Sequence, residues 1–182
     1  TLKAMAVADT KESGVAEATY EIKDGNGVWV LVEDADALHA GDLIVLASNE
    51  HNVVAGKVEE GNKFMTSVEG AVFNAHKTIM TTLPANAMLL TLGGSTGAWT
   101  LANEDLYLNV SGQNNSLGTP ATTWSITINE NGAAIYATKG EAIKYNSSSP
   151  RFKVYSSTYS GNLPQIYKYT TEYYTRDLSN QD

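Results

Sequence analysis

The fold class is clearest in one continuous stretch, Trp124-Ser125-Ile126-Thr127-Ile128-Asn129-Glu130-Asn131-Gly132-Ala133-Ala134-Ile135-Tyr136-Ala137. Its first five residues alternate between apolar and polar side chains, which is typical of a strand with one buried face. An apolar run follows, and the intervening Asn131-Gly132 favours a tight hairpin turn. The stretch therefore predicts two antiparallel strands, Trp124 to Ile128 and Ala133 to Ala137.

The same pattern continues on both sides of this hairpin, because short alternating runs are separated by Asn and Gly from residue 43 onward. Further strands are predicted at Leu43 to Ala47, Val53 to Gly56, Lys63 to Thr66, Met88 to Leu92, Ala98 to Leu101, Leu106 to Val110, Ala142 to Tyr145, Arg151 to Tyr155 and Gln165 to Lys168. A compact apolar run precedes them at residues 28–32. Asp34 can cap one short helical turn that Gly41 stops. The sequence therefore predicts an all-β protein with one helical turn.

The arrangement of these strands is predicted from a weak internal repeat. Leu106 to Asn109 and Ile143 to Asn146 share the order apolar, variable, apolar, Asn, and Val53 to Gly56 keeps the same apolar spacing. Three units, residues 43–87, 88–123 and 124–169, would supply about a dozen strands. This number favours a closed, three-fold, β-trefoil-like barrel, and a two-sheet β-sandwich is the alternative.

Changes in pattern along the chain predict three segments. Residues 1–27 form a leader that is partly ordered or adds one edge strand at residues 19–23, because Asp24-Gly25-Asn26-Gly27 is a strong turn signal. Residues 28–169 form a single all-β domain. Residues 170–182 lose the strand alternation and form a tail.

Composition limits the possible partners. The 182 residues carry a formal charge of −8, and residues 1–70 alone contain 13 acidic side chains and five lysines. Such a chain is not expected to bind nucleic acid, and no apolar run is long enough to insert into a membrane. Cysteine is absent, which excludes disulfides, thiolate metal sites and cysteine nucleophiles.

No catalytic motif is recognisable in the sequence. The spacing of His39, His51 and His76 does not fit a metal site, so neither a metal nor a cofactor is predicted. Paired carboxylates for glycosidic cleavage would have to come from four residues near predicted strand ends, Glu104, Asp105, Glu130 and Glu141. Solvated acids are commoner at such positions, and the chain is not expected to be an enzyme.

Aromatic and amide side chains are the better candidates for binding. Nine aromatic residues lie within the last 47 positions, and a Tyr or Trp ring combines a flat apolar face with a polar edge that can stack on a sugar. We predict Trp99, Tyr155 and Tyr159 as an exposed stacking platform. The polar contacts would come from the loop residues Gln113, Asn114 and Asn115.

A longer pattern resembles a known module. Residues 29–47 read Trp29-Val30-Leu31-Val32-Glu33-Asp34-Ala35-Asp36-Ala37-Leu38-His39-Ala40-Gly41-Asp42-Leu43-Ile44-Val45-Leu46-Ala47. They are similar to the opening W-x-L-V-x-D-A-S-x-L-x-x-G-D-x-I-V-I-A of an uncharacterised all-β module that recurs in secreted and surface proteins, including lipoproteins, of Bacteroidales. Later blocks are also similar, among them Asp105 to Leu108, Thr123 to Ile126 and Arg151 to Tyr155. The resemblance implies a secreted or cell-envelope location and a non-catalytic role.

These observations lead to three hypotheses about function. The first is a secreted or cell-surface binding module whose favoured ligand is a polysaccharide. The second is a protein-interaction or structural component of a bacterial surface assembly, with a surface protein as its partner. The third is a small glycoside hydrolase that uses two of the four carboxylates named above.

Overall fold

The computed structural model describes residues 27–59, 61 and 63–171, together with the backbone of four short strands nearer the N-terminus. The chain divides into two units, one formed by residues 1–28 and 170–182 and the other by Trp29–Tyr169. The first unit contains β1 (Leu2–Ala4) paired with β4 (Ala16–Ala18), and β2 (Val7–Ala8) paired with β3 (Lys11–Glu12). The predicted edge strand at residues 19–23 lies outside the described residues.

The second unit is built from strands. They are β5 (Val28–Leu31), β6 (Leu43–Ser48), β7 (Val53–Glu59), β8 (Phe64–Glu69), β9 (Val72–Phe73), β10 (Ile79–Thr82), β11 (Leu90–Ser95), β12 (Ala98–Asn103), β13 (Leu106–Ser111), β14 (Asn114–Gly118), β15 (Ser125–Asn129), β16 (Gly132–Tyr136), β17 (Glu141–Asn146), β18 (Arg151–Ser156) and β19 (Gln165–Thr170). A 3-10 helix spans Ala35–Ala37, and the carboxylate of Asp34 accepts a hydrogen bond from the Asp36 amide, as the predicted cap requires. The all-β prediction is therefore confirmed.

Most of these strands form one large antiparallel sheet. Its main path runs β14-β13-β12-β11-β6-β19-β5-β10-β9, and β7, β8, β18 and β17 continue from β6 as a branch. The branch arises because β6 has three neighbours. Residues 44–47 of β6 pair with β19 along one edge. The other edge is shared, with β11 pairing at residues 43–44 and β7 at residues 47–48.

Two separate hydrophobic clusters cover the two faces of β6. Ile44 and Leu46 belong to the larger cluster, which also contains Trp124 and Phe152. Val45 and Ala47 point the other way into a smaller cluster, whose members include Trp29, Met80 and Tyr167. All four of these β6 side chains are fully buried. The strand is thus an internal layer between two apolar cores.

The prediction of a closed, trefoil-like barrel is wrong. Among the described residues the main sheet path ends at β14 on one side and at β9 on the other, so the sheet does not close. A barrel strand faces the core on one side only, whereas β6 is buried on both sides. The three repeat segments also occupy unequal positions, since β7 joins the branch, β13 lies near one end of the main path, and β17 pairs only with β18. The two-sheet sandwich, the alternative, fits this layering.

The predicted hairpin is confirmed, but its turn lies one residue earlier than expected. β15 pairs with β16 from Ser125↔Tyr136 to Asn129↔Gly132, which leaves Glu130 and Asn131 in the loop. Gly132 has a φ of +121°, and a Cβ atom there would lie 2.8 Å from the carbonyl oxygen of Pro164. Glycine is therefore required at this position both by its positive φ and by close contact with a neighbouring loop.

Candidate functional site

Two of the predicted binding residues form an aromatic stack. Phe152 and Val154 of β18 face the larger core, so strand alternation points the side chain of Tyr155 away from it. Tyr159 follows in the loop after β18, and the two rings stack with centroids 4.1 Å apart and planes 19° from parallel. Both side chains are half-buried. The two tyrosines therefore lie together as half-buried rings, and their role in binding stays a prediction.

The hydroxyl group of Tyr155 is held by two donors. Asn146 donates from Nδ2 at 3.2 Å, and Arg151 donates from Nε at 3.0 Å. Both bonds use the oxygen as acceptor, and the hydroxyl hydrogen has no acceptor among the described residues. This hydrogen is consequently available to a ligand oxygen.

The loop that carries Tyr159 is held from two sides. The ammonium group of Lys144 donates to the carbonyl oxygen of Tyr159 at 2.5 Å and to that of Ser156 at 3.3 Å. Gly161 lies against the Tyr159 ring, and a Cβ atom at this position would overlap with it. Partial desolvation raises the pKa of Tyr159, and the neighbouring Tyr155 adds to the rise while Arg151 opposes it. Tyr159 is thus a fixed, neutral ring at ordinary pH.

Trp99 does not belong to this surface. Its side chain is only 3 % exposed and packs in the larger core, and its backbone exchanges two hydrogen bonds, of 2.8 and 2.7 Å, with that of Trp124. The prediction of Trp99 as an exposed platform is wrong, because β12 turns this face of the strand towards the core. A ligand at the surface cannot reach it.

The predicted amide residues have different environments. Gln113 is exposed at the turn between β13 and β14, and Asn114 is half-buried at the start of β14. Asn115 is 1 % exposed, and its Oδ1 accepts a hydrogen bond from the Val154 amide at 3.1 Å. Asn115 therefore ties β14 to β18 and is too deeply buried to contact a ligand, contrary to prediction.

A second feature, which the sequence did not indicate, is an open cleft of about 670 Å³. Its walls come from the ends of β5 and β6, the turn between β15 and β16, and the segment before β19. The amide and carboxylate side chains of the lining are Glu33, Asn49, Glu50, Asn129, Glu130, Asn131, Asn162 and Gln165. Sequence reasoning missed most of them because Asn and Glu near strand ends are usual turn residues.

Hydrogen bonds order part of this wall. The backbone N–H of Asn49 donates to Oε1 of Gln165 at 3.1 Å. The side-chain Nδ2 of Asn49 donates to the hydroxyl of Tyr167, also at 3.1 Å. Across the cleft, Oδ1 of Asn129 accepts from the Asn131 amide at 2.8 Å. The positions of these polar groups are therefore fixed by the backbone turns and by the buried Tyr167.

The cleft and the tyrosine stack are linked by one loop, residues 157–164. Gly161 lines the cleft and also lies against the ring of Tyr159. Asn162 lines the cleft too, and it exchanges backbone hydrogen bonds of 2.8 and 3.2 Å with Tyr145 of β17. The two features are therefore adjacent parts of one surface region, which we call the 157–164 region.

The four carboxylates considered for glycosidic cleavage are dispersed. Glu104 and Asp105 form the exposed turn between β12 and β13, and Glu141 begins β17 beside a separate shallow depression. Only Glu130 lines the cleft, where its acidic neighbours are Glu33 and Glu50. The structure therefore does not place any two of the four in the cleft.

Two of the histidines, His51 and His39, contact neighbouring side chains of the fold. His51 Nδ1 lies 2.8 Å from the hydroxyl of Ser48, and its ring packs on Tyr145. His39 lies beside Asp42 at 4.0 Å.

In the described part of the chain no group of three or more His, Cys, Asp or Glu side chains could hold a metal ion. The described residues also include no helix with the length and apolar character of a membrane span.

Comparison with models of protein families, with curated proteins and with solved structures finds no match.

Proposed function

We propose that this chain is a non-catalytic binding module of a secreted or cell-surface bacterial protein, with a glycan as its ligand. The observation that carries the proposal is the 157–164 region, where an aromatic stack and an amide-lined cleft adjoin through one loop. Aromatic rings pack on the apolar faces of sugars, and amide groups can donate to one hydroxyl while accepting from another. The region combines both kinds of group in fixed positions.

The bacterial envelope setting is taken from the resemblance of residues 28–169 to the Bacteroidales module. The non-catalytic role is supported by the dispersal of Glu104, Asp105, Glu130 and Glu141, since glycosidic cleavage needs two carboxyl groups about 5 to 10 Å apart across one cleft. The protein-interaction hypothesis corresponds to one outcome of the experiment below, the co-purification of an envelope protein.

Affinity electrophoresis through gels that contain single soluble polysaccharides tests the proposal. We expect retardation by at least one polysaccharide, reduced at least about fivefold in affinity by Tyr155→Ala, because a lost stacking ring costs about 1 kcal/mol. Tyr107→Ala on β13 is the matched control, since it removes a half-buried tyrosine outside the region. Lack of retardation by every polysaccharide would overturn the proposal, and co-purification of an envelope protein would then favour the interaction hypothesis.

A second candidate function, glycoside hydrolysis, is favoured by the three glutamates Glu33, Glu50 and Glu130 that line the same cleft. Release of reducing ends from a retained polysaccharide would reveal it. Hydrolysis that Glu130→Gln abolishes without loss of retardation would replace the binding proposal with a catalytic one, and absence of release at high protein concentration would remove this candidate.

A further inference from the structure

The side of the β17–β18 hairpin that faces away from the larger core carries an unusual arrangement of charge. Lys144 of β17 lies directly opposite Lys153 of β18 in the antiparallel register. Arg151 is two residues before Lys153 and shares its side of the strand, as does Tyr155. Three cations therefore lie side by side on one sheet face, in a chain whose net charge is −8. We call this surface the cationic face.

No ion pair among the described residues neutralises these charges. The described ion pairs involve Asp42 and Glu59, and none includes Lys144, Arg151 or Lys153. Glu59, which lies opposite Phe64 in the β7–β8 register, is paired with Lys57 at 3.1 Å, and Glu141 occupies the first position of β17. Like charges placed directly opposite each other on neighbouring strands destabilise a sheet. Contacts that hold the fold are described for Lys144 and Arg151 but not for Lys153.

Arg151 is held in place by neutral groups. Its guanidinium carbon lies 5.3 Å from the centre of the Phe64 ring, and its Nε donates to the hydroxyl of Tyr155. These contacts fix the plane of the guanidinium and occupy one of its five N–H donors. The remaining donors form a fork that matches the two oxygens of a carboxylate.

We propose that the cationic face binds the uronate carboxylates of an acidic polysaccharide, a claim that rests on the glycan-binding function proposed above. Arg151 and Lys153 contact the carboxylate, and the free hydroxyl hydrogen of Tyr155 is donated to a neighbouring sugar oxygen. Lys144 already bonds to two carbonyl oxygens, so it contributes positive potential and holds the loop. The Tyr155–Tyr159 stack next to these cations supplies the apolar surface for the sugar ring.

Polygalacturonate and its fully methyl-esterified form test the proposal, because they share one sugar backbone and differ in the charge of the carboxyl group. We expect affinity electrophoresis to show binding of polygalacturonate at least about tenfold tighter than of the ester, weakening as salt is raised. Lys153→Gln should lose about tenfold in affinity for polygalacturonate and little for the ester. Lys77→Gln, which changes the net charge equally outside the cationic face, should bind as the wild type does.

The possible results separate this inference from the proposed function. Equal affinity for acid and ester, or binding of neutral polysaccharides alone, would overturn the uronate inference and leave the glycan-binding function intact. Equally tight binding of poly-glutamate would show a general anion site and would count against a sugar ligand. Unchanged affinity in Lys153→Gln would remove the cationic face as the site, and lack of binding to any polysaccharide would overturn both proposals.

Discussion

Replacing Trp124 with phenylalanine should destabilise the unit Trp29–Tyr169 more than the same change elsewhere. Trp124 is fully buried in the larger core, and its indole N–H donates to the carbonyl oxygen of Leu108 on β13 at 2.9 Å. Phenylalanine has no such donor and a smaller ring. The substitution therefore leaves a buried carbonyl group without its partner and opens a cavity beside it.

The magnitude follows from these two losses. An unsatisfied buried carbonyl costs about 1–3 kcal/mol. The difference in side-chain volume, on the order of 40 Å³, adds about 1 kcal/mol if the surroundings do not relax. We therefore expect the free energy of unfolding to fall by about 2–4 kcal/mol and the midpoint of thermal unfolding to fall by roughly 10 °C.

Urea unfolding followed by far-ultraviolet circular dichroism measures this difference without depending on tryptophan fluorescence. Trp29→Phe is the matched control, because Trp29 is buried in the smaller core and its indole N–H donates to no described residue. Its cost should stay near 1 kcal/mol. A loss in Trp124→Phe no larger than that in Trp29→Phe would refute the role assigned to the indole hydrogen bond.

Three further outcomes are expected. Gly132→Ala should destabilise the fold by about 1–3 kcal/mol in thermal unfolding, since its Cβ would approach a loop carbonyl to 2.8 Å at a positive φ, whereas Gly61→Ala, with open space around it, should be nearly neutral. Asn115→Ala should cost about 1–3 kcal/mol in urea unfolding, because a buried amide of β18 loses its acceptor, and an unchanged midpoint would contradict this. Burial raises the pKa of Tyr167 above its ordinary value of 10.0, so its protonated form stabilises the fold below pH 10 and this stability is lost as the pH rises through the folded-state pKa. In a pH titration followed by absorbance at 295 nm, Tyr167→Phe should lack one of the phenol groups that ionise late in the wild type.

Most strands from residue 43 onward could be predicted from the sequence, with β9, β10 and β14 as exceptions, whereas the assembly of the strands could not. Period-two alternation identified the β15–β16 hairpin and β18 because each has one buried face. The continuous apolar run from Leu43 to Ala47 is instead typical of a strand buried on both faces, which argues against a barrel position. The weak repeat predicts a closed barrel, and the observed sheet instead follows this run. β14 was missed because its sequence Asn114–Gly118 is rich in turn residues.

The candidate site was partly predictable for a similar reason. Tyr155 could be placed at the surface from strand alternation, and the same rule puts Trp99 on the face of β12 that it shares with the buried Leu101, so the predicted exposure of Trp99 went against this pattern. The cleft combines segments separated by more than a hundred residues, such as Asn49 and Gln165. Such a cleft has no local signal in the sequence. The pairing of Lys144 with Lys153 likewise depends on the register of β17 and β18.

The pairing of β6 with β19 also has a kinetic consequence. Residues 44–47 find their partners at residues 165–168, so the internal layer of the fold cannot be completed until the last strand of the unit has been synthesised. Contacts between residues so far apart in the chain slow folding, and an apolar strand that waits for its partner is prone to aggregate. We expect shortened chains that end before residue 165 to be insoluble on expression, and their recovery in soluble, folded form would contradict this reasoning.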